Sequence, residues 1–374
     1  MRMIVGVVGG GQLARMMIPP AVALGVELRV LAESEGMAAA LAATAVGDYR
    51  DAATVLAFAK DVDVVTFDHE HVPQEVLQQL VDAGVAVHPG PHALRFAQDK
   101  RQMRRRMAEL GVAQPDWAPI DAADELQAFL DDHGGAAIVK TATGGYDGKG
   151  VRVVRAVDDV ADWLQGAADG GPQLLAEELV AFRRELAQQV ARRPSGQIVA
   201  WPLAQTVQRD GICAEVVVPA PHAGRLGAVA EDMAVRIAEG LDVTGALAVE
   251  LFETEDGRLL VNELAMRPHN SGHWSIDGSI TSQFEQHLRA VLDLPLGSSA
   301  MLAPAAVMIN VIGGPAEGRM EARYAQALAA QPSAKVHSYG KTARPGRKVG
   351  HVTVVGEELD EVAYEARAAA ATFE

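Results

Sequence analysis

The sequence predicts two fold classes in series, α/β followed by α+β. Three observations carry that expectation. Over about the first hundred residues, short apolar runs alternate with amphipathic stretches, the pattern of an open parallel sheet with helices on both faces. From about residue 137 the pattern changes to strands separated by glycine-rich turns, with apolar–polar alternation that reads as antiparallel. From about residue 305 a small strand-rich region follows, closed by a helix rich in Ala and Glu.

Residues 3–10 read as a short buried strand that runs into Gly9-Gly10-Gly11 and an amphipathic helix over 12–24. A second strand is expected at 27–31, ending in Ala32-Glu33-Ser34, and further strands at 62–66 and 85–88. Pro89-Gly90-Pro91 closes this unit. A basic helix follows, with Lys100, Arg101, Arg104, Arg105 and Arg106 close together. Read alone it is a mostly solvated face, with Lys100 at its start placed to reach a nucleotide. Later strands are expected at 137–141, 151–155, 185–192, 198–206, 306–312, 335–339 and 351–355, and helices at 224–240 and 282–292. The division that results is 1–98, 99–298 and 299–374.

Composition narrows the function. A chain of 374 residues, nearly half of them apolar, can build two or three packed domains. Its net charge of −16 lacks the basic footprint of a nucleic-acid binder. A single cysteine, Cys213, rules out an intrachain disulfide and reads as structural. No apolar run has the length of a membrane span and the start lacks the features of a signal peptide, so a cytoplasmic protein with no membrane partner is expected.

The richest segment is 262–273, which holds Asn262, Glu263, Arg267, His269, Asn270, Ser271 and His273 just after the apolar run 259–261. A second acid, Glu250, ends the run 246–249, and Glu255-Asp256-Gly257 makes a turn between the two. A hairpin with a carboxylate on each strand is therefore expected, and with an adjacent amide it suits Mg²⁺, which takes oxygen ligands and shares them with phosphates. A second segment, Lys140 followed by Gly144-Gly145-Tyr146-Asp147-Gly148-Lys149-Gly150, reads as a flap whose backbone N–H groups can fold over phosphates, but it is not a P-loop. A third, 173–180, is an apolar strand ending in Glu177 and Glu178, which by itself reads as a surface strand end. A fourth, 341–351, places Lys341, Arg344, Arg347 and Lys348 around a Pro-Gly turn, an arrangement suited to anion capture. Finally, Gly9-x-Gly11-x-x-Ala14 opens a helix whose N-terminus can bind an anion, and Glu33 could serve as the ribose-binding acid of a dinucleotide site.

Together and in this order, these motifs resemble the ATP-grasp superfamily, and within it the N5-carboxyaminoimidazole ribonucleotide synthases. The most specific pieces are 9–16, Lys140 with 144–150, 262–274, the run Ser282-Gln283-Phe284-Glu285-Gln286-His287-Leu288-Arg289, and 344–351. The resemblance implies a Rossmann-like (pre-ATP-grasp) N-terminal domain, a central ATP-grasp fold and a small β-rich C-terminal domain. It implies an ATP-dependent ligase of purine biosynthesis that carboxylates 5-aminoimidazole ribonucleotide with bicarbonate through carboxyphosphate, and a homodimer. ATP would be lined by Lys100, Lys140, Gly145, Tyr146, Asp147, Gly148, Lys149, Gly150, Val151, Glu177, Glu178, Leu179, Val180, Glu185, Gln208, Asn262 and Glu263, with Mg²⁺ on Glu250 and Glu263. The second substrate would meet Gly11, Gln12, Leu13, Glu70, His269, Asn270, Ser271, Lys341, Arg344, Arg347 and Lys348. Chemistry would fall to Lys140, Tyr146, Asp147, Arg267, His273 and Lys348, with His273 and Asp147 as candidate bases.

Three rival readings follow from the same residues. Another ATP-grasp carboxylate–amine ligase would leave the basic loop 344–351 without a purpose. A nicotinamide-dependent oxidoreductase using Gly9-x-Gly11 would leave the flap and the acid pair idle. A catalytically inactive nucleotide-binding regulator would be expected to have lost Lys140, Glu250 or Glu263.

Overall fold

The structure, a computed structural model, describes residues 2–145, 150–316 and 318–373. The first layer is a parallel four-stranded sheet in the order Ala43–Val46, Glu27–Ala32, Ile4–Val8, Val64–Phe67. Its central strand is a β-branched run that stops at Gly9, whose φ of 107° no side chain tolerates comfortably. The following helix, Gln12–Leu24, ends on Gly25 in the left-handed conformation. Two details differ from the sequence expectation. The strand expected at 85–88 contributes a single bridge, Val65 to Val87. The edge strand Ala43–Val46 is mostly exposed and built of small residues, so no periodicity announces it.

A second sheet is antiparallel, in the order Trp117–Ile120, Leu174–Glu178, Ala137–Thr141, Val151–Val154. Helices Ala123–Asp132 and Ala161–Ala168 cover it, and Ile120, Leu126, Phe129, Val139, Val154 and Leu174 form its core. The largest sheet has nine strands. Eight lie in the order Leu259–Ala265, Gly245–Thr254, Phe182–Arg192, Ala204–Arg209, Ile212–Val218, Ala305–Ile312, Lys348–Gly356, Lys335–Ser338, and Ile198–Ala200 pairs with Phe182–Arg192. Residues 215–218 pair with 306–309, so the chain after residue 299 continues the same sheet. Helix Gln283–Val291 lies against the first layer: its Phe284, Leu288 and Val291 share a core with Leu13, Met17 and Tyr339. Among the described residues no helix is long and apolar enough to cross a membrane.

The basic helix, Lys100–Glu109, is not the solvated face expected of it. Asp99 caps it by accepting from the Gln102 N–H at 3.1 Å. Lys100, Arg101 and Arg104 then turn inward and are buried. Arg101 donates to the Leu174 carbonyl at 2.8 Å and the Ile120 carbonyl at 2.9 Å, which ties the helix to the second sheet. Arg104, with no exposure at all, bonds Glu177 at 2.8 Å and the carbonyls of Val261 at 2.6 Å and Asn262 at 2.9 Å. Glu177 in turn meets Lys140 Nζ at 2.8 Å. This corrects a second expectation, because Glu177 is not a surface strand end but is 2% exposed. Burial works to raise its carboxyl pKa, but Arg104 and Lys140 outweigh it and hold the group ionised below its usual range.

Removing one partner from such a buried triad leaves charge uncompensated. Arg104→Met should therefore lower the unfolding free energy by about 3 kcal/mol. Arg105→Met, on the exposed side of the same helix, should change it by no more than about 0.5 kcal/mol. Chemical denaturation of both variants reads the difference, and equal effects would contradict the inward orientation.

Candidate active site

The expected hairpin forms. Glu250 and Glu263 are direct partners across strands Gly245–Thr254 and Leu259–Ala265. Directly opposed residues of an antiparallel pair put their side chains on the same face. Beyond them the register slips, since Leu251 pairs with Val261 and Asn262 is left over as the extra residue of a bulge. Neighbours in a regular strand point to opposite faces. The bulge breaks that rule and lets Asn262 and Glu263 line one cavity together.

Two cavities meet here. One, of about 540 Å³, lies between the second sheet and the large sheet. Its walls include Lys100, Lys140, Gly145, Val151, Glu177, Glu178, Leu179, Val180, Glu185, Gln208, Asn262, Asn270, Ser271 and Lys348. The other, of about 600 Å³, opens toward the first layer and includes Gln12, Leu13, Glu70 and Arg267. Lys100, Gly145, Glu250, Glu263 and His269 belong to both, so the carboxylate pair stands at the junction.

The first cavity has an apolar end and a charged end. Val151, Val153, Leu179 and Phe182 are exposed apolar side chains that line it, and Phe182 stacks on Phe252 with centroids 4.7 Å apart. Such a slot suits a flat aromatic ring. At the other end Lys140 bonds Glu177 and, at 3.1 Å, the Asn262 side-chain oxygen. Lys100 meets Glu263 at 2.9 Å. Glu178 instead takes the Asp116 N–H at 3.1 Å. Burial raises the Glu185 pKa, with Gln208 hydrogen-bonded to its carboxyl in partial opposition. Cys213 also lines the cavity, but burial pushes its thiol up to about 12, which fits the structural role expected of it and leaves no thiolate.

Burial, reinforced by Glu263 and Glu185, pushes Glu250 up to about 8. His269 Nε2 lies 3.3 Å from the Glu250 carboxyl, yet burial and then Arg267 and Lys348 hold His269 down to about 3. The contact is thus one of a neutral imidazole and not an ion pair. Among the described residues no cluster of three His, Cys, Asp or Glu groups could hold a metal ion unaided. Two carboxylates and an amide do fit Mg²⁺ in its usual manner, one or two carboxylates with phosphate oxygens supplying the rest.

On the other side, Glu70 takes the Met266 N–H at 2.6 Å and meets Arg267 at 3.2 Å, which positions the guanidinium at the second cavity. Lys341 donates to Gln12, so the basic loop reaches the wall of that cavity. Arg344 is exposed and Arg347 half-buried, and neither is on the wall of these two cavities. Asn270 is 8% exposed and lines the first cavity beside Cys213, and neither of its amide atoms has a geometrically sound hydrogen-bond partner among the described residues. His273 departs from the expectation. It has no exposure, lines neither cavity, and burial holds it neutral, so it is a core residue and not a base at the site. Tyr146, Asp147, Gly148 and Lys149 lie outside the described residues.

The glycine turn is already filled. Gly10 N–H donates to Glu33 at 3.0 Å, Gly11 N–H to Asp68 at 2.9 Å, and Ala14 N–H to Asp68 at 2.7 Å. A Cβ on Gly11 would stand 2.0 Å from Asp68 Oδ2, so this glycine is required by an internal carboxylate. Burial works to raise the Glu33 pKa, but His69 and the Gly10 N–H win and bring it to about 2. A dinucleotide pyrophosphate would have to displace both acids. Sequence reasoning did not place Arg104, Asp68 or Gln283 at this centre; for the first, apolar Met103 and Met107 flanking the charges were the available signal of an inward face.

Comparisons with known proteins cover all three regions of the chain. The family description "Ribonucleotide synthetase preATP-grasp domain" matches residues 1–98, "ATP-grasp domain" 105–284, and "Phosphoribosylaminoimidazole carboxylase C-terminal domain" 306–365. The N5-carboxyaminoimidazole ribonucleotide synthase of Mycobacterium tuberculosis is 50% identical over 372 residues, covering 98% of this chain and 87% of that protein. That of Corynebacterium ammoniagenes is 47% identical over 375 residues, covering 98% and 91%. The crystal structure of the Thermus thermophilus synthetase superposes with a TM-score of 0.88 at 36% identity, covering 99% of this chain and 98% of that one. The Aspergillus clavatus synthase in complex with ADP and 5-aminoimidazole ribonucleotide gives 0.89 at 30% identity, with the same coverage.

The raised carboxyl of Glu250 yields a signed expectation. A group whose pKa rises on folding, here from 4.5 to about 8, stabilises fully below the lower value and loses that contribution as pH climbs to the higher. Glu250→Gln should therefore raise the melting temperature of the ligand-free protein at pH 8 and lose that advantage toward pH 5. Thermal scans across this window decide, and a flat or reversed difference would contradict the buried-carboxylate reading.

Proposed function

The chain belongs to the N5-carboxyaminoimidazole ribonucleotide synthase family of ATP-grasp enzymes, and on that footing we propose that it carboxylates the amine of 5-aminoimidazole ribonucleotide with bicarbonate at the expense of ATP. The observation that carries the proposal is the shared wall of Glu250, Glu263, Lys100 and His269 between two cavities of nucleotide size. ATP would occupy the cavity with the apolar slot, its adenine against Val153, Leu179 and Phe182 and its phosphates toward Lys140 and Asn262. The aminoimidazole ribonucleotide would occupy the other, near Gln12, Leu13, Glu70 and Arg267, with Lys341 and the loop carrying Arg344 and Arg347 toward its phosphate. Lys348, Asn270 and Ser271, on the wall of the first cavity, would hold bicarbonate next to the junction.

Bicarbonate is a poor electrophile. An oxygen of bicarbonate takes the γ-phosphoryl group and ADP leaves, which gives carboxyphosphate. The carboxyl carbon then forms a bond to the amine nitrogen as phosphate departs, and the departing phosphate takes the proton that the amine gives up. Bound Mg²⁺ would supply charge neutralisation at the phosphate oxygens, held by Glu250 and Glu263. Lys140 and Lys100 add fixed positive charge in a cleft where it acts strongly. His269, held neutral, is placed beside Glu250 to orient the reacting groups without adding a charge. Exclusion of water from the cleft would protect carboxyphosphate. A homodimer in the cytoplasm is the setting that family membership suggests.

Turnover tests the reading. ADP release from Mg·ATP and bicarbonate should rise strongly on addition of 5-aminoimidazole ribonucleotide, and Glu263→Gln should reduce the stimulated rate by at least about 10³-fold. ATP turnover indifferent to that nucleotide would overturn the choice of acceptor and favour another ATP-grasp ligase.

A further inference from the structure

The run 282–289 is among the most distinctive in the sequence, and the chemistry above makes no use of it. Its helix, Gln283–Val291, carries three polar side chains with no exposure: Gln283, Gln286 and His287. Gln286 bonds the carbonyl and N–H of Gly297 at 2.6 and 2.8 Å and so secures the turn after the helix. His287 accepts the Ala246 N–H at 3.0 Å and pairs with the Thr66 hydroxyl at 2.8 Å, joining the Glu250 strand to the first layer.

Gln283 faces the site. Its Oε1 accepts from the His269 backbone N–H at 2.8 Å and from Gln189 at 3.2 Å. Its Nε2 donates to the His269 backbone carbonyl at 2.8 Å and to His273 Nδ1 at 2.9 Å. A primary amide offers two N–H donors and a two-lone-pair acceptor, and every one of them is engaged here. The amide therefore grips both polar backbone atoms of His269. The His269 backbone N–H and carbonyl fix which end of the amide is which, so a Gln283 N–H points at His273 Nδ1 and that nitrogen accepts. The side chain held this way is the one that matters: His269 lines both cavities, and its ring is fixed by Glu250 on Nε2 and by the Ser271 hydroxyl at 2.9 Å on Nδ1.

We propose that Gln283 is a positioning residue: its amide clamps the backbone of His269 and so sets the imidazole at the cavity junction, coupling ATP cleavage to carboxyl transfer. The coupling clause rests on the function proposed above, whereas the clamp does not.

Gln283→Glu tests it with little change of shape. An ionised carboxylate keeps the acceptor for the His269 N–H but turns the contacts with the His269 carbonyl and His273 Nδ1 into acceptor against acceptor. The stimulated kcat should fall about 100-fold, the magnitude of a misplacement near 1 Å, with KM for ATP within about threefold. The ratio of ADP formed to carboxylated acceptor should rise above one, which a loss of folded protein would not cause. In a His269→Ala background the same change should cost no more than about twofold, because the two act as one unit. Gln283→Met, which loses the amide without burying a charge, is read in the same way and covers the case of a carboxylate that blocks folding. The imidazole nitrogen resonances of His269 in the ligand-free protein should move in either variant. A wild-type kcat with a ratio of one, full additivity with His269→Ala, or unmoved His269 resonances would overturn the proposal. If the wild type itself ignores the acceptor, the functional reading falls, and the resonances alone decide whether Gln283 positions His269.

Discussion

Two carboxylates facing each other in a closed cleft repel, and much of this molecule is arranged around that repulsion. Glu250 and Glu263 are brought together by strand register, and burial of Glu250 adds to the repulsion it meets from Glu263. Glu263 has a direct cation partner in Lys100, whereas Lys348 and Arg267 act on Glu250 only in partial opposition to burial and Glu263. Glu250 is left with a neutral histidine and a pKa pushed up to about 8. A carboxyl held up in this way is what the proposed Mg²⁺ of an ATP complex would bring back toward its ordinary range. The same logic runs deeper in the cleft, where Glu177 is bracketed by Arg104 and Lys140, and burial lowers the Lys140 pKa against the opposing pull of Glu177.

The fold serves this arrangement through irregularities more than through regular elements. The bulge at Asn262 turns two consecutive side chains into one cavity. The glycine turn brings its backbone close enough for Asp68 and Glu33 to occupy it from within. That occupation explains why a turn resembling a dinucleotide fingerprint need not bind one, since its N–H groups already have anions. Helix Gln283–Val291 spans the first layer, the hairpin and the His269 turn, and its buried amides and imidazole replace what would otherwise be slack apolar contact.

Most elements and the carboxylate hairpin were legible in the sequence, because periodicity, turns and paired acids are local signals. What stayed hidden depends on long-range partners. Arg104 looks like any helix-surface arginine until Glu177, 73 positions away, and two carbonyls at Val261 and Asn262 close around it. Glu177 looks like a strand end until both cations arrive. His273 sits in a run dense with functional groups, and only packing against Phe284, Tyr339 and His351 shows that it belongs to the core. The edge strand Ala43–Val46 escaped for the opposite reason, having almost no buried face to impose a pattern.

The central claim is that the carboxylate pair marks where two ligands meet. A crystal structure with Mg²⁺, a non-hydrolysable ATP analogue and 5-aminoimidazole ribonucleotide tests it most directly. The account predicts the cation on Glu250 and Glu263, the adenine in the slot of Val153, Leu179 and Phe182, and the second nucleotide across the junction beside Arg267. A nucleotide seated on the glycine turn in place of Asp68, or a cation bound away from both carboxylates, would contradict it.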